Sequence, residues 1–473
     1  MASIPLHDAP RAAPRRTRSR GGDEPAGIAG ARLLGFGSLA IPLSGAGLPL
    51  TLFVPQVYAS HFGLSLATIG FIFFLGRFWD VAADPIVGML SDRTRTRFGR
   101  RRPWIAAGGA LFGIGAALLF FPPAHIPTAY LAGALFVFYA GWTMIEIPFS
   151  AWAGELSAHY HERTRIVTYQ QTMRALGLLL VLILPTLIDQ WRPADGVLKL
   201  HAAGVFILLT LPPALLLSLG VIGEPAAPAR PAQRTGAWRA ATLIFRDRLL
   251  LRVLASDVAV TAGQSIRAGL IAFFCVSYMG LPQWASGLYL LQFVFGVAAG
   301  PIWLAIGRRL GKRETAIAGE LAQAAINVAL LAVFPDMLWL LIALAVAQGL
   351  TQGSGNLMLR AMVADVADAH ELRTGHNRTG LFFSVFSLAT KTGPALGIGI
   401  ALPLLAWLGF QPRGASAPAA LEALKYVFAL GPAVAHIISA SLIWRFPIDQ
   451  TRHAAIRAAL EARGTPRPGA FPA

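Results

Sequence analysis

Arg77–Trp104 reads RFWDVAADPIVGMLSDRTRTRFGRRRPW, and its two halves demand different surroundings. The first half continues an apolar run that starts near Leu66, yet it carries Arg77, Asp80 and Asp84. In one helix over 66–91 these charges stand at i, i+3 and i+7, on a single face. A charge at the centre of a bilayer is costly unless it faces a polar interior, so this helix must line one. The second half opens with Asp92 and crowds Arg93, Arg95, Arg97, Arg100, Arg101 and Arg102 into one short loop. Such a loop marks one side of a membrane.

The rest of the chain agrees. Its 473 residues are 55% hydrophobic and only 13% charged, with a mean hydropathy of +0.58, whereas soluble domains run near about 25% charged. The net charge of +17 sits in short loops between apolar runs. That is a polytopic membrane pattern, with no aromatic-interleaved basic patch for nucleic acid. The single cysteine, Cys275, excludes an internal disulfide and a CxxC metal site. Twelve spans are expected at 33–60, 66–91, 104–122, 127–154, 166–188, 200–222, 250–279, 283–307, 315–334, 338–364, 378–408 and 421–445. The loops at 61–65, 123–126 and 280–282 hold no Lys or Arg, while the arginines gather in 92–103, 223–249, 308–314 and both tails. The positive-inside rule therefore places both termini in the cytoplasm.

Residues 1–31 lack the apolar core of a signal peptide and read as a disordered cytoplasmic tail. Two six-span halves follow, 32–222 and 250–446, joined by a cytoplasmic linker over 223–249 and closed by a tail over 447–473. Trp238–Arg248 in the linker could form an interfacial amphipathic helix. The halves repeat: DPIVGMLSDRTRTRFGRRRPWI follows the second span and GPIWLAIGRRLGKRETAI the eighth. Repeated halves with a solute site at their midplane interface are a transporter organisation. No extramembrane segment is long enough for a catalytic domain, and no HExxH, GxSxG or P-loop occurs. The reading is a transporter without a cofactor, not an enzyme. Its expected setting is a bacterial inner membrane, as a monomer in lipid bilayer with a small-molecule solute as partner and no nucleic acid.

Polar residues inside the spans mark the candidate site. Asp80 and Asp84, one turn apart, repel and so favour a proton or Na⁺, or else form a structural ion-pair cluster with Arg77. In the fourth span Trp142, Thr143, Glu146 and Ser150 share a face near Pro148. Gln171 and Arg174 follow in the fifth. In the seventh, Asp257, Thr261, Gln264 and Arg267 form a stripe at i, i+4, i+7 and i+10, with Asp257 either interfacial or inside and Arg267 deep enough to contact solute. Lys391 lies mid-span in a chain whose other lysines are only Lys199, Lys312 and Lys425. A lysine can lose its proton when desolvated, which an arginine does not.

DxxxDP at Asp80–Pro85, followed by SDRTRTRFGRRRPW, closely resembles the glycoside–pentoside–hexuronide:cation symporters, the melibiose-permease-like branch of the major facilitator superfamily. The RFGRRRP run also resembles the loop of plant sucrose–proton symporters. The resemblance implies an all-α major facilitator fold and symport of a sugar or glycoside by alternating access. It implies that Asp80 and Asp84 bind the coupling ion, that Thr143 lies near it, and that Lys391 is their counter-charge. Glu146, before Ile-Pro-Phe, would hydrogen-bond sugar hydroxyls. The family's arginine aligns nearest Gln171, so Arg174 serves instead or acts as a gate or anchor. Asp365, Asp368, Glu371 and Arg378, in ADVADAHELRTGHNRTG, match a cytoplasmic gate that would pair with Asp92 and the Arg97–Arg102 loop, or form a solvated loop; Arg77 is grouped with this gate.

Three departures matter. Ala83 replaces the Asn common in Na⁺-using relatives, which favours a proton because hard cations want several oxygens. Ser150 replaces a ring-stacking Trp, for which Trp142 or Trp152 could compensate. The first span has no charge where relatives carry a Lys-Asp pair. These last two favour an alternative solute, a non-sugar or lipid-like amphiphile.

Overall fold

The computed structural model describes residues 28–157, 160–193, 195–224, 247–376, 378–413 and 416–464. Among them, twelve helices are long and apolar enough to cross a bilayer: α1 Gly30–Ser60, α2 Leu66–Arg93, α3 Arg102–Phe120, α4 Thr128–Glu155, α5 Arg165–Trp191, α6 Gly196–Val221, α7 Arg248–Tyr278, α8 Pro282–Leu310, α9 Lys312–Ala332, α10 Leu338–Thr374, α11 Thr379–Trp407 and α12 Pro418–Ile443. The chain is a multi-pass, all-α membrane protein. The stretch proposed as an amphipathic linker helix lies almost wholly outside the described residues; its last residue, Arg248, opens α7.

Two helices depart from the expected continuous spans. α1 is broken near Ser38 and Phe53, in a sequence carrying Pro42, Pro49 and Pro55, each of which removes a backbone donor. α10 is interrupted at Gly353, whose φ of 90° suits glycine. Its second segment then runs to Thr374. Asp365, Asp368 and Glu371 are therefore on the last turns of a helix, where a loop was expected. The C-terminal tail also holds a helix, α13 (Gln450–Gly464), which packs on the second segment of α10.

The halves meet chiefly where α2 crosses α11. Small residues let membrane helices approach closely. A Cβ at Gly70 would fall 2.7 Å from Pro403 Cδ, and one at Gly399 3.0 Å from Phe74 Cβ. This crossing brings the charged face of α2 to the centre of the molecule.

Candidate functional site

The charged face of α2 is satisfied by two other helices, α4 and α11. Asp80 is 3% exposed. Its Oδ2 accepts from Arg77 Nη1 at 3.3 Å and its Oδ1 from the Thr143 hydroxyl at 2.7 Å. The Arg77 guanidinium lies 5.0 Å over the Tyr139 ring. Arg77 thus belongs to the carboxylate cluster, and its grouping with the loop gate is corrected. Asp84 Oδ2 accepts from the amine of Lys391 on α11, in the opposite half. Its Oδ1 is buried without a hydrogen-bond partner among the described residues. Two acids one turn apart therefore divide two cations: the near one from their own helix, the far one from across the molecule.

A second charged pair lies on α4 and α5. Glu146 Oε1 accepts from Arg174 Nη2 and from the Ser150 hydroxyl, the latter at 3.3 Å, while Oε2 is buried and unpartnered among the described residues. Gln171, one turn before Arg174, is exposed. Trp142, one turn before Glu146, faces a cavity of about 400 Å³ between the halves. Ser44, Leu48 and Leu178 line the same side, and Tyr289, Phe293 and Gln352 the other. Trp152 does not substitute for Trp142 here, because it is fully buried against Phe36.

The C-terminal half contributes a buried amide network. Gln264 and Asn356 exchange hydrogen bonds at 3.3–3.4 Å. Arg267, 3% exposed, donates to Gln292, Asn327 and Gln348. Asp257 is 1% exposed and accepts from Thr390 at 2.7 Å, which settles its two readings in favour of the interior. The network includes residues that sequence reasoning passed over: Gln292 on α8, Gln323 and Asn327 on α9, and Gln348 on α10. On α9 the signal was present, since Glu320, Gln323 and Asn327 stand at i, i+3 and i+7 in an apolar span.

The sequence and the fold have known counterparts. The sequence profile of the MFS/sugar transport protein family matches residues 33–450. The chain belongs to that family. A human sodium-dependent lysophosphatidylcholine symporter 1 is 25% identical, over 85% of this chain and 80% of that protein. A putative glycoside/cation symporter, YagG of Escherichia coli K12, is also 25% identical, over 80% of this chain and 83% of its own. Among solved structures, the nucleoside transporter NupG superposes with a TM-score of 0.62 at 11% identity, covering 88% of this chain and 99% of that one. The fold is therefore that of a major facilitator transporter, and the protein is not an enzyme.

The transporter's two ends are built differently. At the arginine-rich end, Arg100 and Arg101 grip Glu155 at 2.6–2.7 Å, and Arg101 also reaches Asp92 at 3.0 Å. Glu224 accepts from the backbone of both. Arg102 donates to the Ile222 carbonyl, and exposed Arg97 lies over Phe98. Asp365 instead meets Lys312 and His453, and Asp368 meets His453 and Arg457. Arg378 is half-buried at the start of α11. For Asp365 and Asp368 the expected pairing with the 92–102 loop is corrected: their partners lie in their own half, and α13 takes the place assigned to the opposite loop. At the other end the halves do join. Asp189 Oδ2 accepts the Ser286 N–H at 3.0 Å, its Oδ1 pairs with Lys199, and Arg413 donates to the Ser60 and His61 carbonyls.

Proposed function

We propose that this protein is a cation-coupled symporter that moves a sugar or glycoside by alternating access, with a proton as the coupling ion in preference to Na⁺. The observation that carries this is the Lys391–Asp84 ion pair, the one charge pair among the described residues that spans the two halves. In a low-dielectric interior such a pair holds its partners strongly. A cation arriving at Asp80 and Asp84 relieves the acids of their need for Lys391. The halves are then free to rock about the solute. Ala83 beside Asp84 offers no side-chain oxygen for a small-cation cage, which supports the proton.

Solute contact falls to Glu146, Arg174, Ser150 and Trp142, with Gln264 from the opposite half. The positive-inside rule assigns the arginine-rich end and both termini to the cytoplasm. On that orientation, the Asp189–Ser286 and Arg413 contacts close the periplasmic side.

The walls of the cavity favour a second reading. Leu48, Trp142, Leu178, Tyr289 and Phe293 offer more apolar than polar contact, and α1 brings no charge. A lipid-like amphiphile fits such walls, as the printed name of the lysophosphatidylcholine relative suggests for that protein. Uptake into proteoliposomes of a labelled panel of sugars and lysolipids, with an imposed proton or Na⁺ gradient, separates the readings. Sugar accumulation that follows the proton gradient is the expected result. Accumulation of lysolipid alone, or driven by Na⁺ alone, replaces the first reading with the corresponding alternative.

A further inference from the structure

We infer that Arg267 is the receptor for an oxyanion carried by the transported solute. The inference rests on the transport reading only in that the solute must enter the cavity between the halves. Arg267 is 3% exposed and permanently charged. A buried guanidinium ordinarily has a carboxylate partner, yet among the described residues none forms an ion pair with it. Its direct partners are neutral: the Phe428 face at 5.6 Å and three side-chain amide oxygens. Glu320, two turns before Asn327 on α9, is occupied by His436 Nδ1 at 2.6 Å, and Asp257 is occupied by Thr390.

The geometry leaves one arm of the guanidinium unused. Nε donates to Gln292, and Nη1 donates to Asn327 and Gln348. Nη2 makes no hydrogen bond to a described residue. The amides are pinned in turn: Gln292 to Gln352 at 2.8 Å, Asn327 to the Gln323 carbonyl at 2.8 Å, and Gln348 to Gln323 at 2.5 Å. They fix the fork's direction without neutralising it. Arg267 lines a small pocket with Tyr289 and Gln352, and these two residues also wall the larger cavity. These two side chains stand between the solute cavity and the guanidinium, so an oxyanion reaches it by displacing them. A guanidinium prefers planar oxyanions, carboxylate or phosphate, through charge-assisted hydrogen bonds. The carboxylate could come from an acidic sugar, or the phosphate from an amphiphile headgroup.

The test is calorimetric binding to the full-length protein in lipid nanodiscs, with two matched pairs: glucuronate against glucose, and lysophosphatidylglycerol against monoacylglycerol. The expected result is that the charged member of one pair binds at least about tenfold more tightly than its neutral partner. The pair that discriminates identifies the source of the oxyanion. Arg267→Gln should abolish the preference and Arg267→Lys, which keeps the charge but loses the fork, should reduce it. If Arg267→Gln does not fold, Arg267→Lys decides. No preference in either pair, or a preference that the folded variants retain in full, overturns the assignment. The measurement needs no ion gradient, so its failure leaves the coupling proposal standing, and a failure of coupling leaves this result intact.

Discussion

Lys391 and Asp84 carry the coupling proposal between them. Asp84→Asn removes the charge that Lys391 neutralises while keeping the side chain's size. It should cost gradient-driven accumulation at least about tenfold, roughly 1.4 kcal/mol or more, with the protein still inserted and folded. Full concentrative uptake in that variant would remove Asp84 from the mechanism. Lys391→Ala is expected to bind solute normally but to lose or alter accumulation, because the lysine serves the acids and has no need to touch solute. Binding and uptake measured separately distinguish this from a packing role, for which both would be unchanged or both lost. Glu146→Gln tests a different function. It leaves Arg174 without its carboxylate and removes a charged acceptor from α4, one turn after Trp142. Hydrogen bonds to charged groups are worth about 1.5–3 kcal/mol, so solute affinity should fall roughly 10- to 100-fold with ion dependence retained. An unchanged dissociation constant would assign Glu146 to structure alone.

The arginine loop is held as a unit by the ends of α4 and α6. Gly99 has a φ of 104°, and a Cβ there would fall 2.2 Å from Glu224 Oε2. Only glycine fits both the turn and the approaching carboxylate. Gly99→Ala should therefore displace Glu224 from the Arg100 and Arg101 amides. Arg101→Ala breaks the pairs with Glu155 and Asp92, of which Arg101 itself is buried. Breaking a buried pair costs on the order of 3 kcal/mol. Both variants should lower the thermal unfolding midpoint in detergent, Arg101→Ala the more. A midpoint within a degree of the wild type in Arg101→Ala would show that the network contributes no stability.

Across the molecule, the halves are tied at the centre through Lys391 and at one end through Asp189. Asp189 is fully buried and bonds to α6 and α8 at once. Asp189→Ala strands Lys199 and removes the acceptor for Ser286 N–H, so it should loosen that end. Cys275 is buried, which keeps thiol background low. A single cysteine placed at Ser416 should then label with a membrane-impermeant maleimide faster in Asp189→Ala than in the parent; equal rates would deny Asp189 a latching role. Orientation has its own check. A reporter fused after residue 235 should read cytoplasmic and one near residue 195 periplasmic, and the reverse at both would invert the molecule.

Hydropathy and charge made the twelve spans and the membrane class legible from the chain alone, because a bilayer imposes length and apolarity on every segment that crosses it. Asp80, Asp84, Glu146 and Lys391 were legible for the same reason: a charge inside such a segment stands out. Partnership was not legible. Asp84 and Lys391 are 307 residues apart, and only the close crossing of α2 and α11 at Gly70 and Gly399 brings them together. Arg77 shared a helix face with the acids in sequence yet was grouped with the gate, until packing set it over Tyr139 and against Asp80. Asp365 and Asp368 matched the charge of the opposite loop, but Coulomb attraction fixes no address, and α13 and Lys312 were nearer. The amides around Arg267 carry no charge to betray them in a sequence. Their role arises from four helices converging on one guanidinium, a relation among distant segments that no local pattern encodes.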